Sequence, residues 1–268
     1  MEECGHGVTG GEESVISDDD GLRASLAAAM AGADTALGAA DRLCRACVQL
    51  LEVDGASVSL THDGSTQGTF GSSGQMSRQL DELQFTFGEG PCLDAARQGA
   101  PVLVADLRDP AETRWPAFAG ALVRSGIHAV FALPVMIASK PIGALDLFRR
   151  SAGTLDASAL TGGLLAAELA ALPLMDLMGS DLDWGSAAQG GGGWDQLASL
   201  SRVEVYQATG MLVGALDVDP TEALVRLRAY AFAHDMTAAD TAWEIVEGRL
   251  SLDPADWLDP GGHREEAG

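Results

Sequence analysis

Positive charge is scarce in this chain. Sixteen Lys and Arg stand against 39 Asp and Glu, for a formal net charge of −23, and Lys140 is the sole lysine. Such a surface repels polyphosphate and argues against nonspecific nucleic-acid binding. Cysteine is scarce as well. Cys4, Cys44, Cys47 and Cys92 are too few for a disulfide scaffold in 268 residues. Cys44 and Cys47 stand one helical turn apart, a spacing that suits half a metal site or a redox pair. No second ligand pair accompanies them, so core thiols and no metal site are expected. Long apolar runs are missing: charge or glycine interrupts each one before the roughly 18 residues a membrane span needs. The first residues, MEECGHGVTGGEES, are acidic and unlike a signal peptide. A cytoplasmic protein without membrane contact is the expectation. Nucleotide-loop, zincin and serine-hydrolase motifs are absent too. No catalytic residue, no enzyme activity and no cofactor are expected.

The acid that is present is uneven. Residues 1–34 hold eight acids and one base, and residues 251–268 hold five and one. Both ends read as solvated tails, the first mostly disordered and acidic, the second flexible. Between them lie two units of different pattern. Residues 35–178 give a helix, two strands around a DG hairpin signal, short helices and loops, three more strands and a long helix from Asp156 to about Met178. That order predicts an α+β fold, an antiparallel sheet sandwiched by helices. Residues 179–194, with four consecutive glycines, read as a linker.

Residues 195–250 then give three amphipathic helices, a small all-α bundle. Asp219-Pro220-Thr221-Glu222 supplies an N-cap, a proline at the first helical position and a following acid. Thr237 to Asp240 is a weaker box. The first helix contains VYQATGMLVGAL, in which Gly210 and Gly214 each cost about 1 kcal/mol relative to alanine. Helical geometry puts Ala208 and Met211 inward and Arg202, Tyr206, Thr209 and Val213 outward. The two glycines flank the apolar stripe, where a neighbouring helix is expected to press on the backbone. Glu204 falls in that stripe and is expected to pair with Arg228.

The segment SRVEVYQATGMLVGALDVDPTEALVRLRAYAFA resembles the ANTAR domain, an RNA-binding three-helix module of bacterial antitermination regulators. Arg202, Val205, Gln207, Ala208, Gly210, Leu212, Glu222, Ala223, Leu227, Arg228 and Ala231 fall on the family pattern. Thr209 replaces the family's lysine. Residues 35–178 resemble a GAF domain, through the GASVSL strand, FGEGPCLDAARQGAPVLVADL and the strands ending in IGALDLFRR. GAF followed by ANTAR is an actinobacterial arrangement, and the lysine-poor composition agrees with such a host.

The two resemblances imply a signal-responsive antitermination regulator. A small molecule or partner would act at the GAF domain, the long helix would support a homodimer, and the bundle would bind stem-loops in a nascent transcript. Arg202, Tyr206, Thr209, Arg226 and Arg228 are the RNA-contact candidates, Arg226 for phosphate or base and Tyr206 for stacking. Asp106, Trp115, Phe118, His128 and Phe131, with Arg114, come from segments that border the small-molecule pocket in GAF folds. Cyclic-nucleotide and bilin signatures are not visible, so the ligand stays unnamed. Two rival readings remain. The bundle carries net charge −5 and lacks the family lysine, which suits a protein-interaction or dimerisation module. A GAF-fold redox enzyme would need a resolving partner for Cys92, and the sequence offers none.

Overall fold

The structure, a computed structural model, describes residues 12–62, 65–180 and 202–258. Five antiparallel strands form its centre: β1 (Gly55–His62), β2 (Ser65–Ser72), β3 (Val102–Val104), β4 (Ala129–Ile137) and β5 (Lys140–Arg149), in the order β2-β1-β5-β4-β3. Side chains alternate between the two faces of each strand. Along β4 and β5, Phe131, Leu133, Leu145 and Leu147 enter one core, and Val130, Ala132, Ala144 and Phe148 enter the other.

The first core is closed by α1 (Glu12–Met30), α2 (Ala36–Leu50) and α6 (Ala157–Ser180). Thr35 caps α2 by accepting the Gly38 N–H. The second core is closed by α3 (Gln75–Phe87), α4 (Pro91–Gln98) and α5 (Pro116–Arg124). The expected sandwich is therefore present, as three layers.

Two expectations about the ends change. The N-terminal tail was expected to be mostly disordered, yet Glu12–Met30 is helical. Leu22, Leu26, Ala29 and Met30 recur at helical spacing and pack on the first core, with Leu26 fully buried. Arg23 adds a two-pronged contact to Glu168 of α6 at 2.9 and 2.6 Å. The DDD run obscures this stripe in the sequence. In the C-terminal tail, Pro254–Leu258 is a short helix whose Trp257 is buried in the bundle. Trp257 stacks on Tyr230 at 4.6 Å between ring centroids and donates its indole N–H to the Ser251 carbonyl.

Helix α6 also departs from the sequence reading. Ala157–Asp176 is long and apolar enough to cross a membrane by length and composition. In the fold it is a core helix: Ala166, Ala167, Ala170 and Leu174 are buried in the first core. The Gly-rich segment falls largely outside the described residues.

The bundle comprises α7 (Val203–Leu216), α8 (Pro220–Ala233), α9 (Ala238–Val246) and α10 (Pro254–Leu258). The expected caps form. Asp219 accepts the Glu222 N–H at 2.9 Å and Thr237 accepts the Asp240 N–H at 3.0 Å. Close packing does not explain the glycines of α7. A Cβ at Gly210 or Gly214 would meet nothing within 4 Å, and both are exposed. They leave a bare strip of helix backbone at the surface. Gly210→Ala and Gly214→Ala should each stabilise the bundle by about 1 kcal/mol. Thermal melting of the full chain checks this; a lower melting temperature would contradict it. If function falls while stability rises, the bare strip serves an outside partner.

Candidate functional site

A buried polar cluster lies on the second face of the sheet. Ser57 and Ser59 share a face of β1; Asp146 of β5 is paired with Ser57, and Thr69 of β2 with Ser59. Asp81 and Gln84 come down from α3, and Cys92 opens α4. Ser57, Ser59, Asp81, Gln84, Cys92 and Asp146 are all fully buried.

Gln84 ties the cluster together. Its side-chain amide donates to Asp146 Oδ2 at 2.7 Å, and its oxygen accepts the Cys92 N–H at 2.8 Å. The GEGPC turn makes room for it. Gly90 holds φ +147°, and a Cβ there would come within 2.4 Å of Gln84 Oε1. Thr69 donates to Asp81 Oδ2 at 2.7 Å. In this cluster Ser57 Oγ, Ser59 Oγ, Asp81 Oδ1 and Asp146 Oδ1 find no nitrogen or oxygen partner among the described residues.

Electrostatics follow from this burial. Desolvation pushes the Asp146 carboxyl up to about 8; the Gln84 hydrogen bond pulls it down and the Asp81 charge raises it further. Burial likewise raises the Cys92 thiol, with Asp146 and Asp81 adding to the effect and contact with Ser59 opposing it. Cys44 is raised by burial, and Cys47 is pushed up to about 12. These three thiols are buried in the two cores.

The bundle reaches the edge of this cluster through Arg202. Its Nη2 donates to Asp81 Oδ2 at 2.9 Å, Nη1 pairs with Glu82, and the guanidinium lies 4.1 Å from the Phe85 ring centroid. Only 10 % of the Arg202 side chain is exposed and none of Asp81. Burial lowers the Arg202 pKa, while Asp81, Glu204 and Tyr206 hold it up. Arg228 lies over the same ring at 4.5 Å. Phe85 itself belongs to the bundle's core, although it comes from α3. Tyr206 donates to Gln67 Oε1 at 2.9 Å, Phe87 meets Phe232 edge-on at 5.8 Å, and the N–H groups of Ala238 and Ala239 donate to Thr86 and Glu82. A groove of about 440 Å³ runs beside this contact, between Phe87, Glu89 and Ala117 on one side and Val225, Arg228 and Phe232 on the other.

The predicted RNA contacts thus separate. Arg202, Tyr206 and Arg228 are gathered on the GAF side, although half of Tyr206 remains exposed. Arg226 pairs with Glu222 along its own helix. Thr209, expected outward, is buried, and its hydroxyl donates to the Val205 carbonyl at 2.6 Å. Glu204, expected opposite Arg228, acts on Arg202, whose charged form it favours.

The predicted pocket residues do not converge either. Trp115 and Phe118 are buried in the second core, and Trp115 donates its indole N–H to Asp94 at 3.1 Å. Phe131 is on the opposite face, in the first core. Asp106 is partly exposed in a turn with Arg108, which lowers its pKa. Arg114 pairs with Glu112 and stacks on Trp115. His128 is half-buried just before β4. Ser57, Ser59, Asp81, Gln84 and Asp146 were not among the site residues expected from sequence. One signal was available: Asp146 sits in a central strand between Leu145 and Leu147, where an acid is out of place.

A five-stranded antiparallel sheet thus carries helices on both faces, with a buried polar cluster under α3. Residues 35–173, over half of the chain, match the GAF domain family, and the chain belongs to that family. Among solved structures it is similar to the GAF domain of a phosphoenolpyruvate-protein phosphotransferase from Coxiella burnetii, at 18% identity and a TM-score of 0.49, covering 61% of this chain and 97% of that one. It is also similar to the GAF domain of the Acinetobacter phosphoenolpyruvate-protein phosphotransferase (14%, TM-score 0.45, 60% and 96%) and to a type II free methionine-R-sulfoxide reductase from Thermoplasma acidophilum (14%, TM-score 0.38, 59% and 95%). These are likenesses of fold. No curated protein matches the chain.

Proposed function

We propose that the chain is a signal-responsive antitermination regulator in which the GAF domain holds the C-terminal bundle closed until a signal arrives. The released bundle then binds RNA stem-loops. One observation carries this reading: Arg202, Tyr206 and Arg228, three of the five RNA-contact candidates, meet the GAF side. Phosphate contact requires accessible positive charge, and here Arg202 is neutralised by Asp81 and Glu82. Docking and RNA binding therefore exclude one another.

The test is crosslinking and sequencing of bound RNA in the native host. It uses the full chain, the release variant Glu82→Arg, and Glu82→Arg combined with Arg202→Ala and Arg226→Ala. Tandem stem-loops upstream of terminators should be enriched with Glu82→Arg, less so with the wild type, and lost with the combined variant. No enrichment with Glu82→Arg would overturn the reading. The rival, a protein-interaction bundle, has its own support: Val225, Phe232 and Trp243 are each about half exposed on an acidic module.

A further inference from the structure

We propose that the buried cluster under α3 is a binding site for a small organic cation, a primary ammonium or a guanidinium, and that this ligand competes with Arg202 for Asp81. The inference rests on the sensor reading above and gives it a ligand class.

The polar atoms of the cluster are unbalanced. Two carboxyl groups and two serine hydroxyls meet on one sheet face. Asp81 Oδ1, Asp146 Oδ1, Ser57 Oγ and Ser59 Oγ have no nitrogen or oxygen partner among the described residues. The donors that do reach the two carboxylates, from Thr69, Gln84 and Arg202, all go to their Oδ2 atoms. Buried polar atoms without hydrogen-bond partners are costly. An ammonium or guanidinium supplies several N–H donors and the matching charge. No group of three or more His, Cys, Asp or Glu among the described residues is placed to hold a metal ion, which favours an organic cation.

The fold already displays the chemistry. At the edge of the cluster the Arg202 guanidinium bonds Asp81 Oδ2 and lies over Phe85. Asp81 Oδ2 thus takes both Arg202 of the bundle and Thr69 of the sheet, and Oδ1 is left without a donor. A cation on Oδ1 neutralises the charge that holds Arg202, so each weakens the other by the same factor. The groups that face Asp146 are Ser57, Asp81, Gln84 and Cys92, none of them cationic. A cation there draws Asp146 into its ionised form and releases a proton. Affinity should therefore rise with pH, by up to about tenfold per unit, and level off near pH 8.

The test uses the full chain with methylammonium or methylguanidinium chloride, against sodium chloride and tetramethylammonium chloride, which lacks N–H donors. Melting temperature reports binding. Hydrogen exchange of the Ala238 and Ala239 amides reports docking, because both donate to α3. At least one N–H cation should raise the melting temperature above both controls, more at pH 8 than at pH 6. It should speed exchange of the two amides several-fold. Asp146→Asn, shown to be folded by its own melting transition, should weaken binding at least tenfold. No shift beyond tetramethylammonium, or an equal shift in Asp146→Asn, overturns the site. A shift without faster exchange overturns the competition with Arg202. Neither readout involves RNA, so this inference and the RNA reading fail separately.

Discussion

Arg202→Ala should undock the C-terminal bundle. Removing one partner of a buried ion pair costs about 3–5 kcal/mol, because the other charge is left in a dry site. Asp81 is fully buried, and the Arg202 side chain is 10 % exposed. The pair is therefore not the screened surface kind, which contributes about 1 kcal/mol or less. Loss of contact with Phe85 adds to the effect. The protein can relieve the cost by letting the bundle leave, which shifts the docked-to-open ratio by roughly 100-fold or more. Phe85 then leaves the bundle's core, and melting followed through Trp243, Trp257 and Tyr230 should fall by roughly 10 °C or more. Arg202→Lys should recover only part of this. One ammonium cannot span Asp81 and Glu82 and also stack on a ring. An unchanged melting curve in Arg202→Ala would show that the clamp contributes little.

The second large effect concerns pH. Asp146 has its pKa raised by burial to about 8 from 3.8. Between these values the folded state holds a proton on Asp146 that the unfolded chain has lost. The stability this gives is fully present below about pH 3.8 and is lost as pH rises through about 8. Asp146 should lower the folded-to-unfolded ratio by up to about tenfold per pH unit across that window. Asp146→Asn cannot ionise. Its stability relative to wild type should climb from pH 4 to pH 8 and stay level above. Chemical denaturation of both proteins at a series of pH values checks this, and the difference cancels the histidines they share. A difference that does not change with pH would mean that Asp146 is ionised in the fold.

Much of the fold was legible. The β-branched run at GASVSL and the two runs around the ASKP turn that end at IGALDLFRR give β1, β4 and β5, and the Asp219 and Thr237 caps start α8 and α9 as read. Short-range rules suffice for those elements, because the signal and the structure lie within one turn of each other. What failed was long-range. Helix α1 depends on Leu26 finding the first core, and the DDD run beside it argues for a tail. Trp257 is buried in the bundle's core, where it stacks on Tyr230 of α8, a residue 27 positions earlier. Phe131 and Phe118 look alike in sequence, yet pleating sends Phe131 to one core while α5 delivers Phe118 to the other.

The site was harder to read than the fold. Arg202 and Tyr206 were singled out as outward-facing, and they do leave the bundle's own core. Their partners lie more than 100 residues earlier, at Asp81 and Gln67, and no local pattern joins them. Thr209 was misplaced by helical geometry alone. Its back-bond to Val205 satisfies the hydroxyl and lets a polar residue turn inward. Asp146 was visible as an anomaly in an apolar strand, but its meaning depends on Ser57, Asp81 and Gln84 meeting it from other elements.

Hydrogen exchange at Ala238 and Ala239 tests most directly whether the bundle is held against α3. The first N–H groups of a helix have no acceptor within it. Here the acceptors are Thr86 Oγ1 at 2.9 Å and Glu82 Oε1 at 3.2 Å, both on α3. In the wild-type full chain these two amides should exchange slowly, and in Arg202→Ala they should exchange at least about 100-fold faster, in step with the expected loss of docking. Fast exchange in the wild type, or slow exchange in both proteins, would contradict the clamp.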